Sequence, residues 1–395
     1  MDRPVRHASD IDLFTDEALA DPYPLYRRLR DLGPAAWLAR HDVWFLGRHA
    51  VVRDALSDWQ TWSSAQGIGL NPVINEAWKD ALICVDPPLH TGMRKLISDR
   101  LGPRQIEGVQ QTIAQRAEAL AERIAGQPAF DAVTDVAQDL PVGVIMDLIG
   151  WPDDVRADLL DLAAGSFDAC GPDNARMRAA LPRLQAMMAF IARTYDEGRL
   201  APGGFGWTVA EAARGGHIPR DAAIGLLAGY VVAAFDTTIA AIANGLFRFA
   251  ENPAQWQRLR GDARLLPAAF NEIVRIDTPI QSFARVATRD VDLGEGVVVP
   301  AGARALVCYA SASRDEHRFP DPDRFDITRR PLDHLGFGMG VHGCAGQALA
   351  RMEAHAVFGA LARRIAAFEL LEQPQRALNN LIRCHGRIRM RAVAG

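Results

Sequence analysis

One uninterrupted apolar segment, residues 220 to 252, constrains the fold of this 395-residue chain more than any other feature. It lies between Pro219 and Pro253, contains no proline and is rich in alanine, leucine and isoleucine. This pattern predicts one helix of roughly 45 Å, at about 1.5 Å per residue. Because a helix that is apolar on every face must be surrounded by protein, we expect it to cross the middle of a large domain. We therefore predict a single domain over residues 1 to 395.

Shorter segments indicate the rest of the fold class. Amphipathic or apolar patterns predict helices at residues 21–32, 104–125 and 138–149, each near proline or glycine punctuation. Extended patterns at residues 36–46, 291–300 and 304–309 predict short strands and one hairpin. These extended signals are local, so the sequence predicts a mainly α protein with small β-sheets and no repeated βαβ array.

Composition excludes several other classes. The 44 basic and 48 acidic residues give a net charge of −4, which argues against a nucleic-acid-binding protein. The longest strongly apolar run, Ala222 to Phe235, is short of the roughly 20 residues that span a bilayer. The first residues contain no apolar export segment, and we expect a soluble cytoplasmic protein with no membrane partner. The cysteines are odd in number and widely spaced, which predicts neither a disulfide framework nor a zinc cluster. They are Cys84, Cys170, Cys308, Cys344 and Cys384.

One cysteine lies in a sequence suited to an anionic sulfur. Residues 337–346 read FGMGVHGCAG and are followed by a helical pattern. Glycines before the cysteine allow a tight bend that can aim backbone N–H groups at the sulfur. Cys344 would then lie at a helix N-terminus, where the dipole favours a thiolate. A buried structural cysteine in a glycine-rich turn is the alternative for this residue type alone.

Four motifs in this chain resemble those of the cytochrome P450 family. The spacing of Phe337, Gly338, Gly340, His342, Cys344 and Gly346 resembles the family's haem-ligand signature. Three further motifs occur in the family's order: residues 233–238, with the oxygen-activation pattern; residues 272–275, with ExxR; and residues 319–325, FPDPDRF. The resemblance covers essentially the whole chain. It implies the cytochrome P450 fold, with helix 220–252 crossing over haem b and Cys344 as axial thiolate and metal ligand.

The ExxR motif has an independent physical reading. Glu272 and Arg275 are three residues apart, so on a helix they share a face and can form an ion pair. A solvated surface pair has the same spacing. The resemblance implies that Arg324 completes a charge triad with them beneath the cysteine loop, in a structural role.

Haem has two propionates, so a mostly apolar pocket needs cations or hydrogen-bond donors at its edge. His90 and Arg94 are four residues apart on a predicted helix, although a surface pair has the same pattern. The resemblance extends the expected cofactor contacts to a larger set: His90, Arg94, Arg285, His342, Cys344, Phe337, Gly338 and Gly346.

The long helix contains the residues expected to serve oxygen chemistry. A carboxylate at Asp236 can relay protons, and a hydroxyl at Thr237 can hold O2 and an ordered water. The structural alternative is a threonine bonded to its own helix and an ion-paired aspartate. Ala234 stands where the family usually has glycine, which places the distal geometry in question.

The resemblance also implies partners. The chain has no segment for a flavin or an iron–sulfur cluster, so electrons are expected from a ferredoxin and its NAD(P)H-dependent reductase. A basic set near the cysteine would suit an acidic ferredoxin: Arg94, Lys95, Arg100 and Arg104. A monomer is expected.

Segments 63–72, 166–174 and 200–206 resemble the enzymes that oxidise small para-substituted aromatics, such as the 4-methoxybenzoate demethylating enzymes. Where those enzymes hold a carboxylate, this chain has Gln66, Ala228 and Gly229, and an unpaired carboxylate would be poorly stabilised. We therefore expect a neutral phenol or aryl ether, hydroxylated or O-dealkylated. The expected substrate contacts are Gln66, Phe167, Cys170, Ala233, Ile280 and Phe283.

Three other functions stay open on sequence alone. A terpenoid or another small hydrophobe could be the substrate. A peroxygenase would take its oxygen from peroxide and would not need Asp236 and Thr237. A haem-thiolate gas sensor would bind CO without turnover.

Overall fold

The computed structural model describes residues 7–101 and 103–395, with side chains throughout except at residues 99–106, 156 and 157. Helices dominate this part of the chain: α1 (Asp16–Ala20), α2 (Tyr23–Asp31), α3 (His49–Ser57), α4 (Pro72–Ala77), α5 (Leu89–Leu101), α6 (Pro103–Ala125), α7 (Asp139–Ile149), α8 (Arg156–Ala163), α9 (Ala175–Asp196), α10 (Phe205–Arg214), α11 (Arg220–Glu251), α12 (Pro253–Gly261), α13 (Leu266–Ile276), α14 (Tyr309–Ala312) and α15 (Gln347–Arg364).

The strands are short and form small sheets. They are β1 (Ala8–Ser9), β2 (Ala36–Leu38), β3 (Val43–Leu46), β4 (Trp62–Ser63), β5 (Phe130–Asp131), β6 (Ser282–Ala287), β7 (Val291–Asp292), β8 (Val298–Val299), β9 (Arg304–Cys308), β10 (Ile365–Leu370), β11 (Gln375–Ala377), β12 (Cys384–Arg387) and β13 (Arg389–Ala394). The largest sheet has the order β1-β2-β3-β9-β6-β4. Smaller sheets are β10-β13-β5, β11-β12 and β7-β8. The prediction of a mainly α fold with small sheets is confirmed.

Helix α11 is the central element, as its sequence predicted. It runs without a break from Arg220 to Glu251, and its buried residues lie on every side of the helix. By length and composition it could cross a membrane, but 67% of its most apolar stretch is buried inside the protein. That burial is typical of a core helix. One large cluster of buried apolar side chains, from Ala35 to Met390, includes much of α11.

One predicted helix has different bounds. The segment 21–32 forms a helix only from Tyr23, and a separate short helix, α1, precedes it. Asp21 has an extended backbone with φ of −144°, and it precedes Pro22. A residue before proline avoids the helical conformation because of the proline ring, which explains the break between α1 and α2.

The fold packs the helix that follows the cysteine loop against the central helix. Helix α15, which follows the loop, packs against α6, α13 and α11. Strand β6 pairs antiparallel with β9 along most of its length, from Ser282 opposite Cys308 to Val286 opposite Arg304. The ExxR motif lies on α13, so the motifs identified in the sequence occupy adjoining elements.

Candidate active site

The cysteine loop, residues 337–346, is closed on itself and directs backbone amides at the sulfur. The Cys344 N–H donates to the Phe337 carbonyl oxygen at 2.8 Å, and the N–H groups of Gly346 and Gln347 donate to Cys344 Sγ. Gly340 has φ of +67°, and a Cβ there would lie 2.4 Å from the Leu56 carbonyl oxygen. Only glycine fits this position. The glycine pattern had predicted a loop of this kind.

The protein groups around Cys344 do not by themselves lower the pKa of its thiol enough to give a thiolate. Burial raises the pKa of the Cys344 thiol above its ordinary value, and it outweighs the lowering by the two amides, Arg94 and Arg351. The two amides lower the pKa, as expected for a helix N-terminus, but the low-polarity surroundings penalise the charge more strongly. A bound metal cation is the additional charge that would hold the sulfur deprotonated.

One face of α11 is open although the helix is a core element. A Cβ placed on Gly225 or Gly229 would meet no atom within 4 Å. Ala233, one turn further along, is exposed, and Thr237 follows after another turn. A Cβ placed on Gly346, beside the cysteine, would likewise meet no atom within 4 Å. Open space thus borders both the central helix and the cysteine loop.

Thr237 and Asp236 lie at this face with different partners. The Thr237 hydroxyl donates its proton to the Ala233 carbonyl oxygen at 2.7 Å. The structural alternative, a threonine bonded to its own helix, is therefore correct for the donor side of this hydroxyl. The Asp236 carboxylate makes no hydrogen bond or ion pair within the described part of the chain, so the ion-paired alternative does not hold. Burial, followed by the charge of Asp168, raises the pKa of Asp236 to about 7, while Arg183 lowers it.

A cluster of basic side chains lies next to the cysteine loop. The rings of His90 and His342 are 4.5 Å apart, and His342 Nε2 lies 3.5 Å from Asp86 Oδ1. Burial and the charge of Arg285 lower the pKa of His342 to about 3. Burial and the charge of Arg94 lower the pKa of His90. The histidines are therefore neutral, and two arginine cations face a single carboxylate.

This cluster fits the propionates of a haem. His90 is 3% exposed and its Nε2 has no hydrogen-bond partner among the described residues. Arg285 is equally buried; its guanidinium donates to the Ala284 carbonyl oxygen and to the Tyr309 hydroxyl. A buried nitrogen without a partner and surplus positive charge are both costly unless an anion completes them. The residues present therefore match the chemistry of the cofactor.

The ExxR pair is buried as an ion pair, but its third partner differs from the expected one. Arg275 donates to both carboxylate oxygens of Glu272, at 2.7 and 2.8 Å, and neither side chain is exposed. Arg324, the expected third residue, is 63% exposed and pairs with Asp326. Arg329 instead places its Nε 3.4 Å from Glu272 Oε1. The Arg324 prediction is wrong because only its backbone carbonyl, not its side chain, faces Arg275.

The predicted substrate contacts are partly brought together. The rings of Phe167 and Phe283 are 6.3 Å apart, and Phe283 also contacts Tyr309. Cys170 is buried in the same turn as Phe167. Ile280 forms a bridge with Ile382 of the β11–β12 hairpin. Gln66 is exposed, and its carbonyl oxygen accepts a hydrogen bond from Arg304 at 2.8 Å.

Several residues of this region were missed by sequence reasoning. Asp168 lies in the segment 166–174 that resembles the aromatic-oxidising enzymes, directly after the expected substrate contact Phe167. Its position could therefore have been identified from the sequence. Arg329 follows the expected Arg324 by five residues, and the spacing does not show which of the two arginines faces Glu272. Of the basic set proposed for a ferredoxin, the charge of Arg94 acts inward on Cys344 and His90. The side chains of Arg100 and Arg104 lie outside the described residues.

Comparisons with known proteins agree with this geometry. Residues 220–383 match the family model described as Cytochrome P450. The chain is 37% identical over 377 residues to cytochrome P450 CYP199A2 of Rhodopseudomonas palustris, covering 94% of this chain and 91% of that protein. It is 31% identical over 388 residues to linalool 8-monooxygenase of Pseudomonas putida, covering 94% and 95%. The crystal structure of CYP109E1 from Bacillus megaterium, solved with testosterone, has a TM-score of 0.86 and 25% identity, covering 96% of this chain and 99% of that one.

Matches of this extent show that the chain belongs to the cytochrome P450 family. It is a monooxygenase of that family, and its cofactor is a haem with a cysteine thiolate as axial ligand. The family also implies the other reactants: O2, a redox partner that supplies electrons and a hydrophobic substrate.

Proposed function

We propose that Cys344 is the axial ligand in this chain, within a single haem domain. The observation that carries the proposal is the pair of N–H groups, from Gly346 and Gln347, that donate to Cys344 Sγ. Such donors stabilise sulfur in its anionic form and adjust its basicity. When bound, haem supplies the activation of O2, and the thiolate donates electron density that favours O–O cleavage.

The remaining loop and edge residues hold the cofactor. His90, Arg94, Arg285 and His342 bind the propionates, where the unpartnered Nε2 of His90 gains an acceptor. Phe337, Gly338 and Gly346 shape the loop around the cysteine. Arg351 stacks its guanidinium 4.8 Å from the Phe337 ring centre and restrains that ring from the α15 side.

Asp236 and Thr237 supply protons during oxygen activation. A carboxyl group with a pKa of about 7 can both donate and accept a proton near neutral pH. The Thr237 hydroxyl is oriented by its bond to the Ala233 carbonyl oxygen, which leaves its oxygen lone pairs free to accept a hydrogen bond from the cavity side. A peroxygenase would need neither group.

Cys344→His tests the ligand assignment. We expect the reduced CO complex of the wild type to have the red-shifted Soret band of thiolate ligation, and the variant to lose it because imidazole replaces sulfur. Cys384→Ser is the matched control, since that cysteine lies on β12 rather than in the loop. An unchanged spectrum in Cys344→His would remove Cys344 as the ligand.

We propose a ferredoxin with its NAD(P)H-dependent reductase as the electron source, and a monomeric cytoplasmic enzyme. NADH consumption that depends on both substrate and an added ferredoxin is the expected result. Turnover with peroxide alone would favour a peroxygenase. CO binding without substrate-dependent NADH consumption would favour a gas sensor.

We infer a small, neutral aromatic substrate. The resemblance of segments 63–72, 166–174 and 200–206 supports the aromatic class. Its neutrality is supported by two acidic side chains: burial raises the pKa of Asp168 to about 6 and that of Asp236 to about 7, so their charged forms are already disfavoured and a benzoate would add a third acidic group. Arg304 already donates to the carbonyl oxygens of Gln66, Gly67 and Gly69, at 2.8 to 3.0 Å, and its guanidinium is engaged there.

A matched ligand pair tests this inference. 4-Methoxytoluene and 4-methoxybenzoate differ only in a methyl against a carboxylate. We expect 4-methoxytoluene to produce the larger low-spin to high-spin shift, because it leaves no charge without a counter-ion. Tight binding of 4-methoxybenzoate with a complete spin shift would show the neutral-substrate inference to be wrong.

A terpenoid is the second candidate substrate. Its support is the 31% identity to linalool 8-monooxygenase and the apolar character of Phe167, Phe283 and Ile280. Linalool added to the same spin-shift series separates the two classes. A larger shift with linalool than with any methoxyarene would favour the terpenoid.

A further inference from the structure

Arg351 of α15 is held in place by neutral partners. Its guanidinium donates to Asn271 Oδ1, and its Cζ lies 4.8 Å from the centre of the Phe337 ring. An amide oxygen and an aromatic face both fix a cation without cancelling its charge. Arg363, on the same helix, is different because it pairs with the Glu118 carboxylate.

The charge of Arg351 acts on the cysteine sulfur. Burial lowers the pKa of Arg351, and the charge of Cys344 raises it. The effect is mutual, since the charge of Arg351 lowers the pKa of the Cys344 thiol. No carboxylate among the described side chains lies within ion-pair distance of Arg351. Its positive charge therefore reaches the sulfur without being neutralised by an acidic side chain from this part of the chain.

Asn271, which holds the guanidinium, is itself fixed by His334. The Gly336 N–H donates to His334 Nδ1 at 3.2 Å, so the neutral ring has its proton on Nε2. That nitrogen lies 3.4 Å from Asn271 Oδ1 and donates to it. Burial and the charges of Arg351 and Arg275 lower the pKa of His334 to about 3. The ring is therefore neutral and adds no charge of its own.

Phe337, the second partner of Arg351, is also fixed. The rings of His334 and Phe270 lie 5.6 and 6.3 Å from its ring. Its carbonyl oxygen accepts the Cys344 N–H at 2.8 Å. The side chain that carries the positive charge is thus restrained on two sides, and one of its restraints belongs to the cysteine loop.

We propose that Arg351 is a positioning residue whose charge, held by Asn271 and Phe337, acts through the Cys344 sulfur to raise the reduction potential of the haem. The inference rests on the proposed function in taking Cys344 as the axial ligand. One electron passes from the redox partner, which is oxidised, to the ferric iron, which becomes ferrous, and no bond forms or breaks. A cation near the thiolate stabilises the added negative charge, so reduction becomes more favourable.

Arg351→Gln removes the charge and keeps a polar side chain that can still donate to Asn271. We expect the equilibrium constant for haem reduction to fall about tenfold, because one unit of positive charge near the sulfur is lost. A tenfold change is a shift of about 59 mV to a more negative potential for one electron. Reductive titration with redox dyes in the absence of oxygen measures it. Arg363→Gln is the matched control and should leave the potential unchanged, since Glu118 compensates that charge.

Asn271→Asp tests the anchor with the cation still present. The new carboxylate would face Arg351 and cancel its charge, so the equilibrium constant should fall at least as far as in Arg351→Gln. Asn271→Leu is a second variant should the aspartate fail to fold. It removes the acceptor of the guanidinium and should lower the constant by a smaller factor. Combined with Arg351→Gln it should add nothing further, because both changes act on the same charge.

Arg351→Lys separates the charge from the shape of the side chain. Lysine keeps the positive charge but lacks the planar group that stacks on Phe337. Its shift in potential should be less than half of the shift in Arg351→Gln. Equal shifts in the two variants would show that the contact with the ring, rather than the charge, sets the potential, and would overturn the inference.

The spectrum of the reduced CO complex keeps this test apart from the ligand assignment. Arg351→Gln should retain the thiolate Soret band, because it does not alter the ligand. An unchanged potential in that variant, with the band present, would overturn the inference. Loss of the band in the wild type would instead contradict the proposed function.

Hydrogen exchange in the haem-free protein tests the anchor without the cofactor. The Gly336 amide should exchange faster in Asn271→Leu than in the wild type, because His334 loses the partner that holds its ring. The same amide should be unchanged in Arg363→Gln. An unchanged rate in Asn271→Leu would show that Asn271 does not hold this group in place, and would overturn its role in the proposal.

Discussion

Thr237 uses one oxygen for two purposes. Its proton is donated to the Ala233 carbonyl oxygen at 2.7 Å, and its lone pairs are left for the cavity. We expect Thr237→Ala to bind substrate with a spin shift near that of the wild type, but to divert reducing equivalents to peroxide, because the acceptor that orders the proton path is lost. Product formed per NADH consumed, with peroxide measured in parallel, checks this.

Thr237→Ser is the matched variant for this prediction. Serine keeps the hydroxyl and should restore most of the coupling, whereas a purely steric role of threonine would leave serine as poor as alanine. Full coupling in Thr237→Ala would remove the residue from the proton path.

Asp236 makes the stability of the protein depend on pH. Its pKa of about 7 in the folded chain lies above the ordinary value of about 3.9 in an unfolded one. The folded state therefore holds more protons between these values, and its stability falls as pH rises from about 4 to about 7. Asp236→Asn should stabilise the protein at pH 8, by an amount bounded by about 1.4 kcal/mol per pKa unit, and have little effect near pH 4.

Urea unfolding of Asp236→Asn at pH 4.5 and pH 8 measures that difference. Asp221→Asn is the control, because Asp221 is 92% exposed on the same helix. The same stabilisation at both pH values would contradict a raised pKa at Asp236. Product formation should fall in the variant, since the amide cannot donate a carboxyl proton.

At the scale of elements, α13 is fixed to the segment before the cysteine loop by charge. Glu272 and Arg275 are fully buried, and Arg275 also donates to the carbonyl oxygens of Ser313 and Pro322. Arg329 approaches Glu272 and donates to the carbonyl oxygens of Pro320 and Asp321. This arrangement holds the chain that leads into the cysteine loop.

Two arginine variants distinguish the observed triad from the expected one. Arg329→Ala should lower the free energy of unfolding by about 1–3 kcal/mol, because it removes the second cation that faces the fully buried Glu272 carboxylate. Arg324→Ala should change it by no more than about 1 kcal/mol, as for other exposed pairs. Urea unfolding measures both. A larger loss in Arg324→Ala than in Arg329→Ala would restore the sequence-based assignment.

For the whole molecule, we propose that the cofactor completes the open face of α11 and the basic cluster. Surplus cations at Arg94 and Arg285 and the unpartnered His90 Nε2 disfavour the haem-free fold. We expect removal of haem to lower the Tm by roughly 5 °C or more, since a ligand bound only by the folded state stabilises it. Calorimetry of the haem-free and reconstituted protein checks this.

The gain in Tm on adding haem should depend on the basic cluster that contains Arg94 and Arg285. Arg285→Gln removes one of its two cations, and the gain in Tm on adding haem should shrink in that variant. Arg289→Gln, which lies outside the cluster and bonds to Thr61, is the matched control. An equal gain in Arg285→Gln and wild type would show that Arg285 does not hold the propionates.

Features that depend on neighbouring residues could be predicted without the structure. The run from Arg220 to Glu251 has no break and no polar face, so its length and central position follow from composition and periodicity. The cysteine loop is likewise local: glycines at positions 338 and 340 take positive φ, and the amides that reach Cys344 come from residues 346 and 347. Glu272 and Arg275 pair because three residues separate them on a helix.

Contacts between distant segments could not be predicted, because they form only when the chain is packed. Asn71 reaches Gly171 across 100 residues, and Asn380 reaches Asp168 across 212. Arg329 rather than Arg324 faces Glu272, although both lie in one loop of the sequence. The charge of Asp168 raises the pKa of Asp236 from another element. Such effects depend on distances and burial that exist only once the chain is packed, so no local pattern encodes them.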